Sequence, residues 1–254
     1  MRIVVTGGTS GIGYGTARLA AERGWKVTIV GRNRTQGAKI AADLGADYLH
    51  ADLSKMSDVR RLAEQLEGPI DALALCAGGI STGKEVRLTP EGLETTFATN
   101  YLSKFALAEM LVQQNKIAPG GCIVMVGGNG AHKKASTAWA EPQAGLQAAM
   151  KAALAVDLYA SELAKRYPRL RVHTCYPGMV RTNLFQEAPL LFRLLSRLFG
   201  QPIAQGSAYL GRLILEKHSG VHWQQDRPMR FRVPLPEGQV AEALWAYSRQ
   251  ILTT

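Results

Sequence analysis

The stretch Arg2-Ile-Val-Val-Thr-Gly-Gly-Thr-Ser-Gly-Ile-Gly13 constrains this chain more than any other. Ile3 to Val5 is a short apolar run of strand character, and it breaks into Gly7, Gly8, Gly11 and Gly13 before helical periodicity sets in. Strand, glycine turn and helix in that order leave free backbone N–H groups at the positive end of a helix dipole. A pyrophosphate suits such a point: Gly11 lets a phosphate approach the backbone, and Gly13 lets the helix pack tightly on the strand. Thr9, Ser10 and Ile12 complete the turn. An ordinary strand-to-helix turn can carry glycines too, but the βαβ pattern continues downstream, which points to dinucleotide binding.

That pattern runs on as helix Tyr14 to Arg23, ended by Gly24, strand Val27 to Val30 and helix Gln36 to Leu44. Strand Ala46 to His50, helix Val59 to Leu66 and strand Asp71 to Leu75 follow, then a long helical pattern from Glu91 to Gln114 with Asn100 in its middle. Strand Cys122 to Val126, a second long helix Leu146 to Ala164 and strand Arg171 to Tyr176 complete the series. Short apolar strands alternating with helices predict an α/β fold, a doubly wound parallel sheet with helices on both faces. The 254 residues, 46% of them hydrophobic, carry no linker, repeat or charge block, so one Rossmann domain over 1–254 is expected. Ligands of such sheets bind at the carboxyl ends of the strands.

After the second strand stands Gly31-Arg32-Asn33-Arg34. An acid there would accept hydrogen bonds from ribose hydroxyls and select NAD. None is present. Arg32 and Arg34 suit a 2′-phosphate, which points to NADP(H), the plainer alternative being two solvent-facing loop arginines.

The net charge is +10, from 30 Lys and Arg against 20 Asp and Glu, but the basic residues are scattered and no nucleic-acid fold signature accompanies them. Cys76, Cys122 and Cys175 lie in or beside apolar runs without metal-ligand spacing, so no metal is expected. Met1-Arg2-Ile3 enters the first strand directly, leaving no room for a signal peptide, and no apolar run is long enough to span a bilayer. A cytoplasmic location is expected.

Taken together, Thr6-Gly-Gly-Thr-Ser-Gly-Ile-Gly13, Asp52-Leu53, Ala77-Gly78, Asn100 and Pro177-Gly178-Met-Val180-Arg-Thr182 resemble the short-chain dehydrogenase/reductase family over nearly the whole chain. The resemblance implies that Asp52 and Leu53 lie near the adenine, and that Ala77 and Gly78 form the turn after the fourth strand. There Leu75-Cys76 stand in place of the family's two asparagines. Pro177, Gly178, Val180 and Thr182 would cover the nicotinamide. It also implies a homodimer or homotetramer built through the two long helices. Thr89-Pro-Glu-Gly-Leu-Glu-Thr-Thr-Phe-Ala-Thr-Asn-Tyr101, Gln205-Gly-Ser-Ala-Tyr-Leu210 and Leu244-Trp-Ala-Tyr-Ser248 are similar to the retinol-dehydrogenase-like branch.

The family reduces carbonyls with a Tyr-x-x-x-Lys pair and a serine: tyrosine donates the proton, lysine lowers its pKa and holds the nicotinamide ribose, and serine orients the carbonyl. Lys151-Ala-Ala-Leu154 matches the lysine, and Asn100 the residue that holds a water near it. Gln147 stands where the tyrosine is expected and Gly128 where the serine is. Tyr159, Tyr101, Ser136 and Thr137 restore neither in any register.

A glutamine amide donates a hydrogen bond but supplies no proton at neutral pH. The expected activity is therefore an NADPH-dependent reductase with an atypical site, acting on a small lipophilic imine or iminium, enone or carbonyl. Gln147 would position substrate, and His132, Lys151, Tyr176 or water would supply any proton. The alternative is a non-redox cyclase or isomerase, or a protein that binds NADP(H) without turnover. Residues 183–201, with leucines at helical spacing and Arg193 and Arg197 interleaved, are expected to form a substrate lid, or else a helix packed on the body, a dimer contact or a membrane-surface helix.

Overall fold

The computed structural model describes the chain except residues 81, 128–133, 183–197, 217, 219, 230–235, 237 and 254. Its first half alternates β1 (Arg2–Thr6), α1 (Gly11–Ala21), β2 (Lys26–Gly31), α2 (Arg34–Leu44), β3 (Asp47–His50), α3 (Met56–Gln65) and β4 (Ile70–Leu75). A broken helix follows: α4 (Thr95–Phe97), a π-helical stretch (Ala98–Leu102) and α5 (Ser103–Gln113). Then come β5 (Ile117–Val126), α6 (Gly145–Arg166), β6 (Arg171–Tyr176), α7 (Ile203–Leu215), β7 (His222–Gln224), β8 (Arg227–Pro228) and α8 (Gln239–Thr253).

The strands form one sheet in the order β3-β2-β1-β4-β5-β6-β7-β8. All neighbours pair in parallel except β7 with β8. Successive side chains of a strand face opposite sides, and both sides here are dry. Val4, Leu73, Leu75, Ile123 and Met125 enter the core under α3, α5 and α6. Ile3, Val5, Ala72, Ala74 and Val124 enter the other, under α1 and α7. This is the doubly wound α/β architecture. Among the described residues no helix is long and apolar enough to cross a membrane.

Several boundaries differ from the sequence expectation, among them the start of β5 at Ile117 rather than Cys122, and two helix starts show the reason plainly. The helix expected from Tyr14 begins at Gly11, so Gly11, Ile12 and Gly13 are its first three residues. Its far end is closed as expected at Gly24, whose φ is +74°. Gly24 N–H bonds to the Ala21 carbonyl and Trp25 N–H to that of Ala20, the paired bonds of a Schellman end. The helix expected from Glu91 begins instead at Thr95. The Glu91 carboxylate accepts from Met56 N and Ser57 N at 2.7 and 2.9 Å, capping α3, while Glu94 accepts from Thr96 N and Phe97 N at 2.8 and 2.7 Å and starts α4.

Candidate functional site

The sheet order reverses direction at β1 and β4, and the loops leaving their carboxyl ends open a crevice there. Gly7, at φ +66°, sits so close to Ala77 that a Cβ would fall 2.9 Å from the Ala77 N and Cα, so the loops after β1 and β4 touch. Ser10 precedes α1 with no side-chain cap bond, which leaves the first amides of α1 without a side-chain acceptor. Gly11, at φ +53°, faces Thr182: a Cβ would stand 3.0 Å from the Thr182 Cγ2. A methyl on Gly13 would run into the Gly7 carbonyl. The backbone thus draws Gly7, Ser10 to Gly13, Ala77 and Thr182 around one cradle that only bare glycine backbone leaves open.

Thr9 reaches across to the end of β2, where a Cβ on Gly31 would meet its Cγ2 at 2.7 Å. Arg32 and Arg34 are exposed beside it. Asn33 Oδ1 accepts from Gln36 N at 2.9 Å, which makes Arg34 the first residue of α2 rather than part of the loop. The Tyr48 hydroxyl holds this turn by donating to the Gly31 and Asn33 carbonyls at 2.8 and 3.0 Å. Asp52 Oδ1 accepts from Ser54 N and Oγ at 3.1 and 2.8 Å, closing the turn before α3, and Leu53 is buried in the core.

Asn100 lies in the π-helical stretch, and π-turns inside helices recur at functional positions. Its Oδ1 accepts from Gly79 N at 2.9 Å and its Nδ2 donates to Gly79 O at 2.8 Å, so the amide clamps the turn after β4. One turn on, the buried Lys104 donates from Nζ to Ala77 O at 2.6 Å and to Asn100 O at 2.8 Å. Burial holds the Lys104 amine down to about 8. Reading the sequence alone misses Lys104. A lysine between Ser103 and Phe105, at the edge of the apolar run Phe105-Ala-Leu-Ala108, is the available signal.

Lys151 is buried, and its Nζ donates to Ala138 O, Trp139 O and Glu141 O at 2.7, 2.9 and 2.7 Å. An ammonium has three donors, and all three are spent on the loop before α6. Phe97 covers the charge, its ring centroid 4.8 Å from Nζ, and Trp139 stacks on Phe97 at 6.4 Å. Burial lowers the amine to about 8, against the pull of Glu94 and Glu141. Gln147, one turn earlier on α6, is exposed. The Asn100 carbonyl accepts from Lys104, while the Lys151 bonds go to residues 138, 139 and 141.

Pro177 and Gly178 follow β6, which ends at the half-buried Tyr176. Val180 pairs with Gln201, through Arg181 N to Gln201 O at 2.9 Å and Gln201 N to Met179 O at 2.8 Å. Val180 is buried and Thr182 faces Gly11. Of the expected lid 183–201, residues 183–197 lie outside the described residues, as do Gly128 and His132. Leu198 and Phe199 are exposed.

The family model for short chain dehydrogenases matches residues 1–190. This chain belongs to the short-chain dehydrogenase family. A Streptomyces lividans protein named "Probable oxidoreductase" is 41% identical over 137 residues, 52% of this chain and 46% of that protein, so the match spans under half its length. The 3-oxoacyl-[acyl-carrier-protein] reductase of Bos taurus is 32% identical over 195 residues, 72% of this chain and 77% of that enzyme. The solved short chain dehydrogenase of Burkholderia cenocepacia in complex with NADP has the same fold at a TM-score of 0.71, with 21% identity, covering 88% of this chain and 95% of that one. Within the short-chain dehydrogenase frame, the glycine cradle and the clamp on the Ala77–Gly79 turn are both assembled here, whereas the lysine on α6 is turned to its own loop.

Proposed function

We propose that the protein is an NADP(H)-binding reductase of the short-chain dehydrogenase family whose active site has lost the usual tyrosine and serine, at Gln147 and Gly128, within a retinol-dehydrogenase-like branch. The observation that carries this reading is the cradle at the β1–β4 switch point flanked by Arg32 and Arg34, with no carboxylate in the Gly31-Arg32-Asn33-Arg34 turn. Its free amides suit a pyrophosphate, and the paired guanidiniums suit a 2′-phosphate. Fold relatives crystallised with NADP or NADPH support the same cofactor.

The residues present fit that group: Gly7, Thr9, Ser10, Gly11, Ile12 and Gly13 for the pyrophosphate, Arg32 and Arg34 for the 2′-phosphate. Asp52 and Leu53 would serve the adenine, Ala77, Gly78 and Asn100 the turn after β4 that borders the cofactor, and Pro177, Gly178, Val180 and Thr182 the nicotinamide. When bound, it supplies a hydride. The protein's own task is then to seat an acceptor and deliver any proton. Exposed Gln147 orients the acceptor by its amide. An iminium carbon already carries the positive charge that attracts hydride, so such a substrate, or an enone, suits a site without an acidic tyrosine. The substrate is small and lipophilic, with His132 or Tyr176 as proton donor.

The saturation of Lys151 by three carbonyls favours a second reading, in which NADP(H) is bound without turnover or the pocket serves a non-redox cyclisation or isomerisation. Single-turnover oxidation of bound NADPH separates the two. Loss of NADPH absorbance with imines or enones, and little with simple ketones, is expected. No oxidation with any acceptor class would overturn the reductase and leave the second reading.

A further inference from the structure

On the proposed placement of Pro177 to Thr182 over the nicotinamide, we infer that the Gln225 carboxamide is a substrate-binding group. It receives a neutral amide or hydroxyl on an otherwise lipophilic acceptor. β7 runs parallel to β6 with Tyr176 beside Gln224, so both strands end on the crevice side of the sheet. β7 and β8 then pair antiparallel, Gln224 with Arg227, which leaves Gln225-Asp226 as a two-residue hairpin turn. Such turns take glycine or asparagine where φ is positive. Gln225 instead holds φ +57°, and among the described residues the only other non-glycine with positive φ is Asn115. A glutamine in the left-handed region is strained, and residues that break a local rule concentrate at functional sites.

The hairpin tip folds back onto the Pro177-Gly178 loop. Gln225 N–H donates to Tyr176 O at 2.9 Å, which ties the turn to the end of β6. Gly178, at φ +79°, lies against two carboxamides: a Cβ there would stand 3.1 Å from Gln225 Nε2 and 3.1 Å from Gln201 Nε2. The two amides are not equivalent. Gln201 is engaged within the fold, its Oε1 accepting from the Tyr209 hydroxyl at 3.1 Å and its Nε2 donating to Pro177 O at 3.5 Å. The Gln225 carboxamide is half-buried and makes no hydrogen bond to the described residues. A carboxamide carries two donors and an acceptor, so this one offers its full set to a ligand group that both donates and accepts.

The surroundings set the ligand class. Met179, next after Gly178, is 45% exposed, and Leu198 and Phe199 are 68% and 74% exposed. They are held beside the same loop, because Gln201 N–H donates to Met179 O at 2.8 Å and Arg181 Nε to Gly200 O at 2.7 Å. Apolar side chains around one unused polar group are the make-up of a small-molecule site. The charges of the hairpin offset one another, Arg227 Nε lying 3.9 Å from an Asp226 carboxylate oxygen. Arg181 is turned to the Gly200 and Leu198 carbonyls. An anionic group therefore gains little beside Gln225, whereas a neutral amide or hydroxyl matches its donors and acceptor.

Ligand-observed NMR titration of the full chain with cinnamamide, cinnamate and β-methylstyrene, with and without NADPH, tests this. The three probes share one skeleton and differ in carrying an amide, a carboxylate or a methyl group. Cinnamamide should bind about fivefold more tightly than either of the others. Gln225→Gly should weaken cinnamamide about fivefold and leave β-methylstyrene within about twofold. It should not lower the melting temperature, because glycine relieves the left-handed turn. A purely structural residue would move stability and both probes together. Equal affinities for the three probes, no binding of any at about 10 mM, or an amide preference that survives Gln225→Gly would overturn the proposal. NADPH titration of the same samples is read separately. No NADPH binding, with the Gln225-dependent amide preference intact, would overturn the cofactor reading alone.

Discussion

The Lys104 ammonium lies 2.8 Å from the main-chain oxygen of Asn100 and 2.6 Å from that of Ala77. It therefore ties the π-helical stretch to the turn that forms one wall of the crevice. Among the described residues no carboxylate contributes to its electrostatic environment, where the titratable neighbour of consequence is the Cys76 thiol.

This burial has a pH signature. The amine is held at about 8 against an ordinary 10.5. Below pH 8 folded and unfolded chains both bind the proton, and the full burial penalty is present. Between 8 and 10.5 the unfolded chain binds more protons, so stability rises with pH. Relative to Lys104→Met, the wild type should gain up to about 2–3 kcal/mol between pH 8 and pH 10 in urea melts. A difference that does not change with pH would place the amine in water.

Lys151 is expected to behave as a loop anchor. Lys151→Met leaves the Ala138, Trp139 and Glu141 carbonyls without their donor and should lower stability by about 2–4 kcal/mol. NADPH affinity should stay within about threefold. The opposite pattern, a loss of affinity of about tenfold with stability unchanged, would return Lys151 to the nicotinamide ribose.

Gly11 combines a φ of +53° with 3.0 Å of room before Thr182 Cγ2. Gly11→Ala should cost about 1–2 kcal/mol of stability and weaken NADPH about tenfold, because the added methyl displaces the Thr182 loop from the cradle. A melt and a fluorescence titration of the same sample measure both. A Gly11→Ala variant that binds NADPH as well as the parent would show that the cradle does not hold the cofactor.

Much of the fold was legible because period and punctuation agree. Apolar runs such as Ile3 to Val5 and Ala72 to Leu75 are buried on both faces, and Gly24 closes α1 where its left-handed backbone is needed. What escaped depends on partners distant in sequence. Glu91 reads as a helix residue locally, yet its carboxylate caps α3, 35 positions away. The three carbonyls that Lys151 meets depend on how the 138–141 loop folds over Phe97. The amphipathic α8 carried its stripe in plain sight. Nothing in that stripe names α5 and α6 as its partners.

We place the 2′-phosphate on the Arg32 and Arg34 side of the crevice. Fluorescence titration with NADPH and NADH, on the wild type and on Arg32→Ala, is the test. NADPH should bind at least about tenfold more tightly than NADH, and Arg32→Ala should remove most of that preference with little effect on NADH. Equal affinities for the two dinucleotides, or a preference untouched by Arg32→Ala, would mean that these arginines hold no 2′-phosphate.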